Sequence, residues 1–195
     1  MAKELYFSLD VESDGPIPGP YSMLSYGLAA FEPGNETPVG THEMNLVQIS
    51  NDQHPGTMEF WNGSKKNKAA YDATRVNPAA PDDAMRITRR WIEQLCNKHE
   101  AKPVCVAYPA SYDFMFLYWY FIKYLGSSPF GFQALDIKTL AMSVLKAKKG
   151  FKGATKANFP THHALDDAIE QGIMFVRIFK EVKPQYEAPT IRKLT

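Results

Sequence analysis

Cysteine is nearly absent from this sequence: Cys96 and Cys105 are the only two in 195 residues. They show no C-x-x-C or Cys/His spacing, which speaks against a disulfide framework or a thiolate-held metal and fits free thiols in a reducing compartment. A bilayer-spanning run is also missing. The most apolar stretch, Phe114 to Ile122, is closed off by Asp113 and Lys123, well short of the ~20 residues that a spanning helix needs. Met1-Ala2-Lys3-Glu4 leads straight into an apolar segment, so no signal peptide is expected. These absences point to a cytoplasmic protein with no membrane partner. Net charge is only +1, so there is no global basic field and any attraction to a polyanion has to be local. No internal repeat and no glycine-rich phosphate cradle is visible.

What is present is a globular composition, 45% hydrophobic and 13% aromatic, in a length suited to one domain with a sizeable core. We expect a single domain over residues 1–195, with 183–195, which hold two prolines, as a loose tail. Leu5 to Glu12 reads as a buried strand that ends in carboxylates. Met23 to Phe31 and Thr41 to Ile49 follow as strands joined by short turns, an antiparallel meander. Residues 50–81 have weak periodicity and read as a functional loop or a segment with a short helix of its own. Pro81-Asp82-Asp83 opens a helix that runs to Lys98-His99. A strand follows over Val104–Tyr108, then a buried helix with Ser111 as N-cap, a short strand over Phe132–Asp136, a helix over Lys138–Lys146, and a last helix from the His162-His163 region to about Val182. This order suits an α/β fold: a central mixed sheet, the meander continued by parallel crossovers, with helices packed on it.

Asp10 and Glu12 are two apart on a strand, so they share a face at its carboxyl end. Adjacent acids repel and lose hydration in an apolar setting unless a cation holds them, and a divalent ion with hard oxygen ligands would do so. The plainer alternative is that they cap the strand and begin the turn at Ser13-Asp14-Gly15-Pro16. Asp113 falls just beyond another parallel strand, where sites in such sheets lie. Four acids (Asp10, Glu12, Asp113, Asp167) and His162, with no cysteine, suit metal-assisted hydrolysis. Two ions roughly 3.5–4 Å apart could clamp a phosphodiester, and a neutral histidine could take the proton of water. Each residue also has a bland reading; their joint occurrence is what carries weight. Trp61, among the cations Lys65, Lys66 and Lys68, could stack a base or could tuck into the core. Lys148, Lys149 and Lys152, in an acid-free segment from Lys146 to Lys156, are candidates for substrate phosphates or for a solvated loop.

Three segments together resemble the DnaQ-like, or DEDDh, family of 3'-5' exonucleases, which share the ribonuclease-H-like fold. Asp10-Val11-Glu12 is similar to its D-x-E motif and Tyr112-Asp113-Phe114-Met115-Phe116-Leu117 to its F-D-x-x-F-L. His162, Ala164, Leu165, Asp167 and Ala168 meet every fixed position of H-x-A-L-x-D-A, and Asp136 with Thr139-Leu140-Ala141 resembles D-T-x-x-L-A. The resemblance implies a five-stranded mixed sheet with helices on both faces. It also implies a two-ion exonuclease that releases nucleoside 5'-monophosphates from the 3' end of single-stranded RNA or DNA. Its cofactor would be Mg2+, with Mn2+ able to substitute, and a homodimer is compatible with it. By the resemblance, Asp10 bridges the two ions, Glu12 and Asp167 hold the one that activates water, Asp113 serves the second, and His162 is the general base. The chain departs from the family at Tyr108-Pro109, where His-Asn is common, at Ser13-Asp14-Gly15 instead of Thr-Gly, and in a second histidine, His163. An endonuclease of the same superfold and a non-catalytic binding module with a relict site remain as alternatives. Ser13-Asp14-Gly15 and Thr57-Met58-Glu59-Phe60-Trp61 look similar to the bacterial and phage exoribonuclease branch.

Overall fold

The computed structural model describes residues 3–145 and 162–181. The expectations placed on Lys148, Lys149, Lys152 and the 183–195 tail lie outside the described residues. β1 (Lys3–Ser13) is flanked on one side by β2 (Met23–Phe31) and then β3 (Gly40–Asn45), both antiparallel to their neighbours. On its other side β4 (Ala101–Ala107) and then β5 (Ala134–Asp136) run parallel to it. The five strands form one mixed sheet of order β3-β2-β1-β4-β5, the arrangement expected.

Side-chain alternation along β1 decides what each face holds. Leu5, Phe7, Leu9 and Val11 point into a core closed by α3 (Pro81–His99), through Ala84, Met85 and Ile92, and by α4 (Ala110–Leu125), through Phe116, Leu117 and Phe121. Tyr6 points the other way, into a second core with Ala29, Phe31 and Val106. That core is covered by Ile137 and Ala141 of α5 (Ile137–Leu145) and by Phe175, Val176 and Ile178 of α6 (Ala164–Lys180). Helices therefore cover both faces. The same parity puts Asp10 and Glu12 on the α6 face.

Glycine lets α6 lie close. A Cβ on Gly27 of β2 would sit 2.4 Å from the backbone of Ala164 and Leu165, and one on Gly172 of α6 would sit 2.1 Å from the Phe31 ring. The helix is thus pressed to the sheet at its first turn and again at mid-length. Among the described residues no helix is long and apolar enough to cross a membrane.

Of the two readings of residues 50–81 the helical one holds, with two helices in place of one, and three other local expectations are corrected. Residues 50–81 hold two short helices, α1 (Pro55–Asn62) and α2 (Lys65–Thr74), capped by His54 and Ser64. β3 stops at Asn45 because the chain then pairs with the segment after α2: Leu46 bridges Ala79, Val47 N–H donates to Ala79 O, and Ala79 N–H donates to Asn45 O. β5 begins at Ala134, leaving Phe132 in solvent. Ser111 is not the cap of α4; Pro109 occupies that position without a side-chain bond. The N–H of Ala110 is instead taken by Asp136 Oδ2 at 2.8 Å, while Oδ1 of the same carboxylate accepts from Thr139 N–H in α5 at 2.7 Å. One acid thus serves two helix starts.

Candidate active site

β4 ends earlier than β1. The last pair between them is Leu9–Ala107, and just past it Val11 N–H donates to Asp113 Oδ1 at 3.1 Å. This bond draws the first turn of α4 over the carboxyl end of β1 and fixes Asp113 beside Asp10 and Glu12. From the opposite direction α6 delivers Asp167, which is buried, one turn into the helix. His162 stands just before α6 in a left-handed conformation, φ 59°, which non-glycine residues adopt at a cost. That turn lets its own N–H donate to Asp167 Oδ2 at 2.8 Å. It also brings its ring to Glu12 and Asp167: ligand atoms of the three residues all lie within 4.8 Å of one another.

The acids strain against one another. Burial, and then the Asp167 charge, push the Asp10 carboxyl up to about 8, opposed by a hydrogen bond from Gln171. Glu12 is held well above the usual carboxylate range by burial and by Asp10, Asp167 and Asp113. Asp113 is raised by burial and by Asp10, with Val11 N–H acting the other way. Such a cluster favours whatever positive charge can enter it. Its donors, carboxylate oxygens with one imidazole, match a hard divalent cation. His162 is shifted in the other direction: burial lowers it, Lys66 adds to that, and Asp167 opposes. Its imidazole is therefore neutral at physiological pH and able to accept a proton.

His163 is turned away. It is exposed, with Nε2 3.7 Å from Glu43 Oε2 and Nδ1 3.6 Å from Asp166 Oδ2. A cavity of ≈ 230 Å³ adjoins the two histidines, bounded by Ser25 and Glu43 on the sheet and Ala70 and Thr74 on α2.

Trp61 does not offer a stacking face. It is 2% exposed, and its Nε1–H donates to Ser13 O at 2.9 Å. Burying the indole satisfies its one polar atom against the end of β1, so Trp61 supports the site from beneath. Its neighbour Phe60 is the partly exposed ring, edge-on to His162 with centroids 5.1 Å apart.

The bend after β1 carries further residues that the sequence did not single out as site supports. Ser13 Oγ and Tyr112 Oη share a 2.6 Å hydrogen bond, tying the bend to α4. Asp14 is fully buried; Oδ1 accepts from Ser22 N–H at 2.5 Å, Oδ2 from Gln48 Nε2 at 2.8 Å, and its carbonyl from His54 N–H at 2.9 Å. The Asp14 departure from the family motif is therefore structural. Gln171, which donates to Asp10 Oδ1 at 2.7 Å, was also missed. Its only sequence signal is a polar residue four after Asp167, on the face that α6 buries.

The chain is similar to known proteins over most of its length. The family described as the 3'-5' exoribonuclease Rv2179c-like domain matches residues 6–179. The chain is 36% identical over 186 residues to the 3'-5' DNA exonuclease Cap18 of Escherichia coli, covering 91% of this chain and 93% of that one. Among solved structures it resembles the zinc-bound E. coli exonuclease I–single-stranded DNA complex, with TM-score 0.63 and 11% identity over 94% of this chain, but spans only 42% of that chain. It also resembles the nuclease domain of 3'hExo, a DEDDh family member bound to rAMP, with TM-score 0.55 and 11% identity, covering 92% of this chain and 93% of that one. At such identities the structures speak to the fold, which is the ribonuclease-H-like one expected.

Proposed function

The chain belongs to the family of 3'-5' exonucleases described as the 3'-5' exoribonuclease Rv2179c-like domain, and from that premise we propose a two-ion site that acts on the 3' end of a single strand. Asp10, Glu12, Asp113 and Asp167 hold the cations, Mg2+ with Mn2+ able to replace it. His162 accepts the proton of the attacking water. The observation that carries this reading is the approach of Glu12, His162 and Asp167 to within 4.8 Å, with Asp10 on the same strand face and Asp113 bonded to the strand between them. When bound, the cations supply Lewis-acid polarisation of the phosphodiester and a more acidic attacking water. The protein's share is geometric: β1 fixes two acids on one face, α4 and α6 converge a third and a fourth, and His162 is kept neutral and aimed at them. The product is a nucleoside 5'-monophosphate. The whole chain acts as one exonuclease domain, and the two buried free thiols fit a cytoplasmic setting.

The sugar is the open variable. The matching family is described as exoribonucleases, whereas the relative at 36% identity is a DNA exonuclease. We take single-stranded nucleic acid as the substrate and leave ribose and deoxyribose to one assay. Matched RNA and DNA oligonucleotides, labelled at the 5' end, are digested with Mg2+. The expected result is a ladder that shortens one nucleotide at a time from the 3' end. Internal cuts would replace this reading with an endonuclease, and no cleavage of either would replace it with a binding module.

A further inference from the structure

Gln171 is 3% exposed on the face of α6 pressed to the sheet, one turn beyond Asp167 and next to Gly172. A primary amide in such a place is costly to bury unless its hydrogen bonds are met. Here they are half met: Nε2 donates to Asp10 Oδ1 at 2.7 Å, while the buried Oε1 has no partner among the described residues. Leucine would fill a similar volume beside Ala168 and Phe175 without that penalty. What the glutamine adds is one N–H aimed at one oxygen of one carboxylate.

We infer that Gln171 is a positioning residue that holds Asp10 in its metal-binding rotamer. The inference rests on the two-ion reading above. Asp10 faces Asp167, Glu12 and Asp113, and their repulsion favours swinging its carboxylate aside. A donor at Oδ1 opposes that swing and still leaves Oδ2 and the second lone pair of Oδ1 for a cation. The donor is itself placed by close packing: α6 lies against the sheet where Ala164 rests on Gly27 and where Gly172 meets Phe31, on either side of Gln171. Partners that orient metal-binding carboxylates in this way are typically worth about 10–100-fold in metal affinity or activity.

The test is the variant Gln171→Leu, with Gln171→Met as its substitute if leucine leaves the protein unfolded. Mn2+ binding is measured by calorimetry on the protein alone, and single-turnover cleavage is followed as Mn2+ is raised. A thermal melt of the metal-free protein accompanies both. The expected result is a folded variant whose Mn2+ requirement rises about tenfold or more and whose rate recovers in large part at high Mn2+. A merely structural glutamine gives the opposite pattern, a lower melting temperature with unchanged Mn2+ affinity, and that result overturns the proposal. Asp10→Asn is run beside it. If Asp10→Asn binds Mn2+ and cleaves like the wild type, the two-ion reading itself fails. If it is inactive while a folded Gln171 variant binds Mn2+ normally, only the positioning role fails.

Discussion

Asp10 and Gly27 are directly opposite each other across β1 and β2, and the bare Cα of the glycine is where the first turn of α6 rests. A Cβ there would lie 2.4 Å from backbone atoms of Ala164 and Leu165, which cannot rotate away as a side chain could. Gly27→Ala must therefore lift the end of α6 that carries Asp167 and positions His162. Overpacking of this kind costs ~1–3 kcal/mol, and a shift of the order of an ångström at a reacting group can cost about a hundredfold in rate. The expected variant is folded but less stable in urea and at least that much slower. Wild-type stability and rate together would show that α6 does not need this contact.

Asp167→Asn keeps the shape of the side chain and the bond from His162 N–H while removing a charge from the metal side. Hydrolysis should all but vanish, and circular dichroism should remain native. Chelation of the wild-type protein should give the same loss, reversed by added Mg2+ or Mn2+. A folded, fully active Asp167→Asn protein would be incompatible with the ligand set.

The two adjacent histidines should separate cleanly. His162 lies against Glu12 and Asp167, whereas His163 faces Glu43 and Asp166. Loss of a general base costs ~10²–10⁴-fold, so His162→Ala should fall in that range at saturating metal and substrate, with Mn2+ still bound by the carboxylates. His163→Ala should lose much less. A larger loss at His163 than at His162 would reverse the assignment of the base.

His42 gives a pH-dependent stability unrelated to catalysis. Burial lowers it from 6.5 to about 4; its ring stacks on Trp91 at 5.1 Å and its Nε2 lies 2.8 Å from Thr88 Oγ1. Between those two values the unfolded chain binds a proton that the native state does not. The stabilisation is therefore whole above about pH 6.5 and is lost as the pH falls towards 4, by at most ~3 kcal/mol. The raised acids of the site act in the opposite sense in metal-free protein, so the comparison must be between variants. Urea midpoints at pH 7 and pH 5 should fall more for the wild type than for His42→Gln, which keeps a polar contact to Thr88 but does not titrate. Equal falls would remove His42 from the account.

The parts of the fold that could be read in advance are those written in neighbouring residues. Met23–Phe31 is buried at every position, so its apolar run marked both its ends. α3 announces itself through Pro81, Asp82 and Asp83 and a clear apolar stripe. α1 and α2 are short, bury only Trp61 and Thr74 respectively, and begin at His54 and Ser64; with so little buried face there is little periodicity to see. The end of β3 depends on Ala79, more than thirty residues on, and no local pattern records it. The site divides in the same way. Asp10, Glu12, Asp113, His162 and Asp167 stand in short fixed spacings, and the structure brings them together. Gln171 and Asp14 act on partners far along the chain, at separations of 161 residues for Gln171–Asp10 and 34 for Gln48–Asp14, and each taken alone is an ordinary polar residue.

The bend at Ser13 and Asp14 also limits how this protein could be re-engineered. Residues just before β2, in the stretch after β3, at the cap and in the body of α1, and in α4 all end hydrogen bonds on those two positions, through Ser22, Gln48, His54, Trp61 and Tyr112. Residues 50–81 are therefore not an interchangeable cassette. A chimaera that imports this segment from a relative without a tryptophan at position 61 would leave the Ser13 carbonyl, next to Glu12, without its indole donor. Any exchange of preference between relatives has to carry the bend and the segment together, as a single transplanted unit.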